Sequence, residues 1–270
     1  MPMQQDKTPA VSVLMGVRYR RADTVMLQRA VESILNQTFS DFELLICAGG
    51  SSAEACCLLD SLALSDSRIR LVRGENLPED LAGKLNTCLD HAKGELIARM
   101  DDDDFSHPER FERQVSFLLN HGDIAFVGCS VSFLTDGVQT GTKVFPEYPQ
   151  VRDFYFTQPF VHPTLMFRRS VLTATGGYST GKHQVLCEDY DLLLRLYTMG
   201  HSGANLQDIL FDYTVSLNNR KMKHRWNEAV TRWNRFKDLN LLPRALPYVI
   251  KPLAVGLIPR SLLARIKKWR

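Results

Sequence analysis

Four carboxylates stand side by side at Asp101-Asp102-Asp103-Asp104, between an apolar stretch ending at Met100 and a helix start signalled by Pro108. Adjacent acids repel one another, so a folded chain keeps such a run where a cation lies among them or where water solvates it. Oxygen donors at the end of a strand suit Mg²⁺ or Mn²⁺. Mg²⁺ commonly takes only one or two protein carboxylates and completes its shell with water and phosphate oxygens. The run therefore suits a metal carried on a diphosphate better than a closed structural ion. The other reading is a solvated acidic loop that caps the helix begun at Pro108. A second acidic set, Glu188-Asp189-Tyr190-Asp191, opens an apolar-periodic segment. Acids in a first helical turn are favoured by the helix dipole, which explains them without chemistry.

The elements that must position these acids follow from periodicity. The short apolar run at residues 11–17 carries no charge and reads as a strand buried on both faces of a parallel sheet, and the mainly apolar runs at 42–47, 69–72 and 95–100 read as the next strands. Helical spacing at residues 25–37, after the Ser51-Ser52 cap and at residues 81–92 separates them. This alternation predicts an α/β fold with a doubly wound, mostly parallel sheet, whose ligands lie beyond the carboxyl ends of the strands. Past the acids the pattern loosens. A helix is expected over 108–120, strands over 124–127, 130–134 and 164–167, and turns at Asp136-Gly137, Thr140-Gly141 and Gly176-Gly177-Tyr178. Prolines 146, 149, 159 and 163 punctuate this stretch, which reads as an α+β half.

The 270 residues, 44% hydrophobic, suffice for a large core and exclude a disordered chain. The net charge of +3 hides a division: 14 Lys and Arg face two acids after residue 217, against 19 facing 28 before it. Residues 1–217 are accordingly expected to form an acidic body and residues 218–270 a helical basic C-terminal tail. The apolar run at 247–259 is broken by Lys251 and prolines and falls short of the roughly 20 residues a membrane span needs. A basic, aromatic-bearing end reads as lying on an anionic membrane surface, or else as helices packed on the body. Trp226 and Trp233, seven apart on one helical face, fit packing on the body as well. No aromatic-basic strand motif speaks for nucleic acid. The polar N-terminus lacks a signal-peptide core, and six cysteines without a CxxC pair read as thiols of a reducing compartment. A cytoplasmic protein, peripheral on the inner face of the cell membrane, is expected.

In order along the chain, several pieces together resemble the family 2 glycosyltransferases of GT-A fold. They are the buried first strand, Ser33-Ile34-Leu35-Asn36-Gln37-Thr38-Phe39, a strand and glycine turn ending at Ser51, and Ala92 through Asp104. After these come Pro108-Glu109-Arg110, His162-Pro163-Thr164-Leu165-Met166-Phe167-Arg168-Arg169, Gly176-Gly177-Tyr178 and Glu188-Asp189-Tyr190-Asp191-Leu192. The ordered set covers about the first four fifths of the chain and is more specific than any one motif. The resemblance implies an inverting, metal-dependent enzyme that moves a sugar from a nucleotide-diphosphate donor, first of all a UDP-sugar, to an acceptor hydroxyl in cell-surface glycan synthesis. The cofactor it implies is Mn²⁺ or Mg²⁺. Asp103 matches the metal ligand of the family's Asp-x-Asp motif, Asp101 shares the metal or touches the donor, and Asp102 lies beside them. Asp189 matches the general base, with Glu188 as its alternative or partner. His162, Gly177 and Tyr178 fall near the acceptor, a glycan or lipid-linked saccharide.

Departures from the family pattern concern nucleotide recognition. Ala48-Gly49-Gly50-Ser51 stands where the family usually has Asp-Asp-Gly-Ser, so the usual base-binding aspartate is missing at Gly49. Arg18, with Tyr19 beside it, replaces the usual tyrosine after the first strand, and Arg18 could face base or phosphate. Lys84 lies on the helix before the acids, where the family often sets a polar residue against the nucleotide; a solvent-facing lysine is the simpler expectation. A nucleotide-sugar binding protein that has lost turnover, and a membrane-attached scaffold, are the alternative functions.

Overall fold

A computed structural model describes residues 8–17, 24–215 and 221–258. Its strands are β1 (Val11–Gly16), β2 (Phe42–Cys47), β3 (Ile69–Leu71), β4 (Leu96–Met100), β5 (Phe105–Ser106), β6 (Ile124–Thr135), β7 (Val138–Lys143), β8 (Met166–Arg168) and β9 (Ser202–Thr214). Its helices are α1 (Val25–Leu35), α2 (Ala53–Ser65), α3 (Leu81–Asp90), α4 (Arg110–Asn120), α5 (Arg169–Ala174), α6 (Glu188–Thr198), α7 (Met222–Asp238) and α8 (Leu246–Leu257).

Every residue of β1, β2 and β4 is buried, as apolar runs in a sheet covered on both faces should be, and the two charges among them, Glu43 and Arg99, are paired with Arg70 and Asp101. They align in parallel, with Val11 opposite both Phe42 and Leu96. The sheet runs β3-β2-β1-β4-β8-β6-β9-β5, with β7 on the edge of β6. Its first four strands are parallel, and β8 then pairs antiparallel with both β4 and β6. The expected α/β architecture is therefore present, and the reversal of strand direction falls directly beside β4, the strand that delivers the acids. Ser52 caps α2 and Asp80 caps α3, each side chain accepting a hydrogen bond from a backbone N–H in the first turn.

Local expectations fail where packing overrides pattern. The two short strands expected over 124–134 are one strand, β6, because the glycine between them is demanded by a neighbour: a Cβ on Gly128 would lie 2.6 Å from Asn205 Oδ1. Thr140-Gly141, expected as a turn, lies inside β7. The stretch at 164–167 begins as a 3₁₀ turn over His162–Thr164, and only Met166–Arg168 pairs as a strand. The 13-residue β9 was not signalled by alternation, yet it lies parallel to β6 and brings Tyr213 and Thr214 back beside the acids. Gln37 anchors the segment that follows the acids. Its amide donates to the His107 carbonyl at 2.8 Å and accepts from Phe111 N–H at 3.0 Å.

The described part of the basic segment folds onto the body. Phe236, Ala245 and Val249 are buried in one apolar cluster with Leu14, Leu45 and Leu85. Arg232 is buried and donates to the carbonyls of Phe154 and Tyr155. Trp226 and Trp233 do not join this core; they are 55% and 47% exposed. Among the described residues no helix is long and apolar enough to cross a membrane.

Candidate active site

β4 ends at Met100, and the acids that follow open into a cavity of about 290 Å³ lined by Asp101, Asp102, Asp103, Gly16, Leu81, Tyr213 and Thr214. The chain is held there by β9: Thr214 donates its hydroxyl to the Asp103 carbonyl at 2.6 Å and its N–H to Asp104 Oδ1 at 2.7 Å. Asp104 is a buried structural acid, pushed well above the usual carboxylate range by burial and by Asp101 and Asp103. Asp101 is paired with Arg99, a fully buried guanidinium on β4. Burial, and then repulsion by Asp101 and Asp102, pushes the Asp103 carboxyl up to about 7.

The donor set is thus all carboxylate oxygen, with repulsion that a hard divalent cation would relieve, and it fits Mg²⁺ or Mn²⁺. Among the described residues no group of three or more Asp, Glu, His or Cys side chains converges as a cage. The protein would supply one or two ligands, as expected for a cation shared with a diphosphate.

A second cavity, about 420 Å³, adjoins the first through Asp101, Leu81 and Tyr213. Its walls carry Phe133, Phe145, Phe156 and Phe160, and its polar groups include His162, Glu188, Asp189 and Gln158. The acid pair starts α6, whose first turn projects into this space. Glu188 is 8% exposed, and burial followed by repulsion from Asp189 pushes its carboxyl up to about 7. Asp189 accepts from Tyr190 N–H at 2.7 Å through Oδ1 and from Gln158 Nε2 at 3.1 Å through Oδ2. Asp191 faces the other way, buried against Ser179 and Arg195, so it serves the fold.

The sequence-expected residues divide accordingly. Asp101, Glu188, Asp189 and His162 share one cavity; Asp101, Asp102 and Asp103 share the other. His162 is buried, its Nε2 is 2.9 Å from the Tyr178 hydroxyl, and burial with the nearby Arg99 holds it well below the usual histidine range. Tyr178 lies behind His162, its backbone clasped by the Asn86 amide through two bonds of 2.8 Å. Gly177 has φ +71°, and a Cβ there would meet Asn86 Oδ1 at 2.6 Å. Gly177 and Tyr178 thus shape the support of the site and do not line either cavity.

Lys84 departs from the solvent-facing expectation. It is 1% exposed, donates to the Val17 carbonyl at 2.7 Å, and lines a third cavity of about 390 Å³ with Gly16, Leu81, Leu186 and Glu188. Gly49 is buried under the loop at 77–78; a Cβ there would lie 2.4 Å from the Pro78 carbonyl. This backbone therefore has no room for the family's aspartate. Arg18 and Tyr19 lie outside the described residues. Sequence reasoning did not single out Gln158, Tyr213, Thr214, Glu228 or Arg232. The last two come from α7, and only the folded chain brings them to the cavity wall.

A doubly wound sheet with paired acids beyond its carboxyl ends is the arrangement of a GT-A glycosyltransferase, and the sequence comparison agrees. The chain belongs to glycosyl transferase family 2, whose model matches residues 18–176, and it is a glycosyltransferase of GT-A fold. EpsE of Bacillus subtilis (strain 168) is 32% identical over 97% of this chain and 94% of its own. The O-antigen biosynthesis glycosyltransferase WbnJ of Escherichia coli is 33% identical over 76% of this chain and 79% of its own. The Escherichia coli UDP-Gal:alpha-D-GlcNAc-diphosphoundecaprenol beta-1,3-galactosyltransferase is 28% identical over 81% of this chain and 78% of its own. Among solved structures, the mannosyltransferase PcManGT from Pyrobaculum calidifontis, in complex with GDP-Man and Mn²⁺, superposes with a TM-score of 0.63. It covers 97% of this chain and 80% of its own at 18% identity, a likeness of fold.

Proposed function

We propose that this enzyme moves a sugar from a nucleotide-diphosphate donor, first of all a UDP-sugar, to a hydroxyl of a glycan or lipid-linked saccharide, inverting the anomeric carbon. The single observation that supports it most is the cavity shared by Asp101 and the Glu188–Asp189 pair, directly beside the acidic cavity. A donor whose diphosphate lies at Asp101–Asp103 would hold its sugar toward Asp189. Asp189 then takes the proton from the attacking hydroxyl as the new glycosidic bond forms on the face opposite the departing diphosphate. Asp103 and Asp101 are the residues that would hold Mn²⁺ or Mg²⁺. Such a cation, when bound, neutralises the charge gained by the leaving nucleoside diphosphate. His162, kept neutral by burial, offers the acceptor a hydrogen-bonding wall without a competing charge.

The acceptor is assigned to the cell surface on two grounds. Relatives named for O-antigen synthesis and for a diphosphoundecaprenol-linked acceptor cover most of this chain. Residues 218–270 also carry 14 basic groups against two acids, the charge expected of a peripheral protein on the inner face of the cell membrane.

The test is a thermal-shift screen of UDP-, GDP-, CMP- and dTDP-sugars with and without Mn²⁺, followed by nucleotide release with saccharide and diphosphate-lipid acceptors. Asp103→Ala should lose both Mn²⁺ dependence and turnover while the fold persists. Asp189→Asn should keep donor binding and lose transfer by roughly 10² to 10⁴. Wild-type transfer in either variant would overturn the assigned role. Donor-induced stabilisation with no nucleotide release from the wild type would favour a binding protein without turnover.

A further inference from the structure

The carboxylate of Asp189 has two observed constraints of different kinds. One is local: the Tyr190 N–H, which any residue at the start of a helix could supply. The other comes from 31 residues away, where Gln158 donates its amide to Oδ2 at 3.1 Å. Gln158 lies on the loop between the 3₁₀ turn at Val151–Phe154 and the one at His162–Thr164. It lines the aromatic cavity and also an adjoining one of about 430 Å³ that contains Lys143 and Arg152.

That loop is fixed from its far side by the C-terminal helices. Tyr155 stacks on Tyr248 at 4.8 Å and meets Phe236 edge-on at 5.6 Å. Phe156 packs edge-on against Tyr248 at 4.9 Å, and its carbonyl accepts a hydrogen bond from Lys251. The Tyr155 carbonyl takes Arg232 at 2.9 Å, and the Pro159 carbonyl takes Asn205 at 3.1 Å. The loop is thus tied on both sides of Gln158, through its backbone and its rings. Gln158 therefore reaches Asp189 from an anchored stretch of backbone.

We propose that Gln158 is a positioning residue for Asp189. It holds Oδ2 toward the aromatic cavity and favours the ionised carboxylate that proton abstraction requires, a role that rests on Asp189 being the base. Its amide carries no charge, so it orients the base without the permanent ion pair that an arginine or lysine would form. The C-terminal helices, by holding the loop, are part of the apparatus that keeps the base in place. The charged and titratable groups that share the cavity with Asp189 or act on it are Glu188 on its own helix, Asp101 after β4, Glu228 and Arg232 from α7, Lys143 from β7, Tyr213 from β9, His162, and Tyr178 behind His162. All of them are retained in a Gln158 variant, so the variant and the wild type differ in the amide alone.

The experiment uses the full chain with Gln158→Leu, which removes the donor, and Gln158→Glu, which replaces it with a carboxylate. The Asp189 side-chain carboxyl is titrated by NMR on aspartate-labelled protein without substrate, its signal identified by its loss in Asp189→Asn. A hydrogen bond to the ionised form lowers a carboxyl's titration midpoint, so its removal raises it. The expected order of midpoints is wild type, then Leu about one pH unit higher, then Glu higher still. Gln158 is only half-buried, so both variants are expected to fold. In turnover, with the donor identified in the screen described above, Leu should lower kcat about tenfold. Acceptor KM should stay within about twofold, and the acid limb of the pH–rate profile should move to higher pH. Unchanged Asp189 midpoints in both variants would overturn the proposal. Shifted midpoints with unchanged kcat would also overturn it and would point to a base other than Asp189.

Discussion

Glu188 holds its proton far more tightly in the fold than an exposed glutamate does, and Glu188→Gln tests that directly. Its carboxyl is pushed from 4.5 up to about 7, first by burial and then by Asp189. A carboxyl raised in the folded state gives a stability contribution that is complete below the unfolded value near 4.5 and is lost as pH rises through about 7. Each pH unit of that interval corresponds to roughly 1.4 kcal/mol, so full ionisation costs the fold on the order of 3 kcal/mol. Glutamine has the same shape and cannot ionise. At pH 5 the variant should melt close to the wild type. At pH 8 it should be more stable by up to about 3 kcal/mol, which for a chain of this size is roughly 5–10 °C in Tm. Melting curves for both proteins across this range, without donor or metal, supply the comparison. A Tm difference that does not change between pH 5 and pH 8 would refute the claim that Glu188 is held protonated by its surroundings. Retained transfer in the variant would further show that no ionisable group is needed at position 188 beside Asp189.

Two other outcomes follow from the same structure. Gly49→Asp, which restores the residue the family usually carries, should destabilise by about 1–3 kcal/mol and should not improve donor binding, because its Cβ collides with the Pro78 carbonyl; a stable variant with tighter UDP-sugar binding in thermal shift would contradict this. In vesicle sedimentation, removing residues 259–270, which carry five basic side chains, should weaken binding to anionic lipid by about 1 kcal/mol for each charge that comes near the surface, with added salt weakening it further; equal pelleting of both forms would mean that this segment does not hold the enzyme on the membrane.

Much of the candidate site was legible in the residues alone. Predominantly apolar runs announced β1, β2 and β4, because strands buried on both faces admit a charge only where it is paired, as Glu43 is with Arg70 and Arg99 with Asp101, and the acids at 101–104 followed where such a sheet places its ligands. The Glu188-Asp189 pair could be named from its motif, with the helix dipole as the plainer account, and in the structure both side chains line one cavity with Asp101. Tertiary structure decided the rest. Lys84 looked like a solvent-facing lysine, since nothing local shows that the Val17 carbonyl will be buried above it. Gly128 looked like the end of a strand, since its reason is Asn205, 77 residues later. Gln158, Arg232 and Glu228 carry no periodic or motif signal; they reach the cavity because the loop at 155–160 and α7 fold against α6. A sequence specifies its local periods, while the meeting of distant groups at one cavity depends on packing between elements that no short window contains.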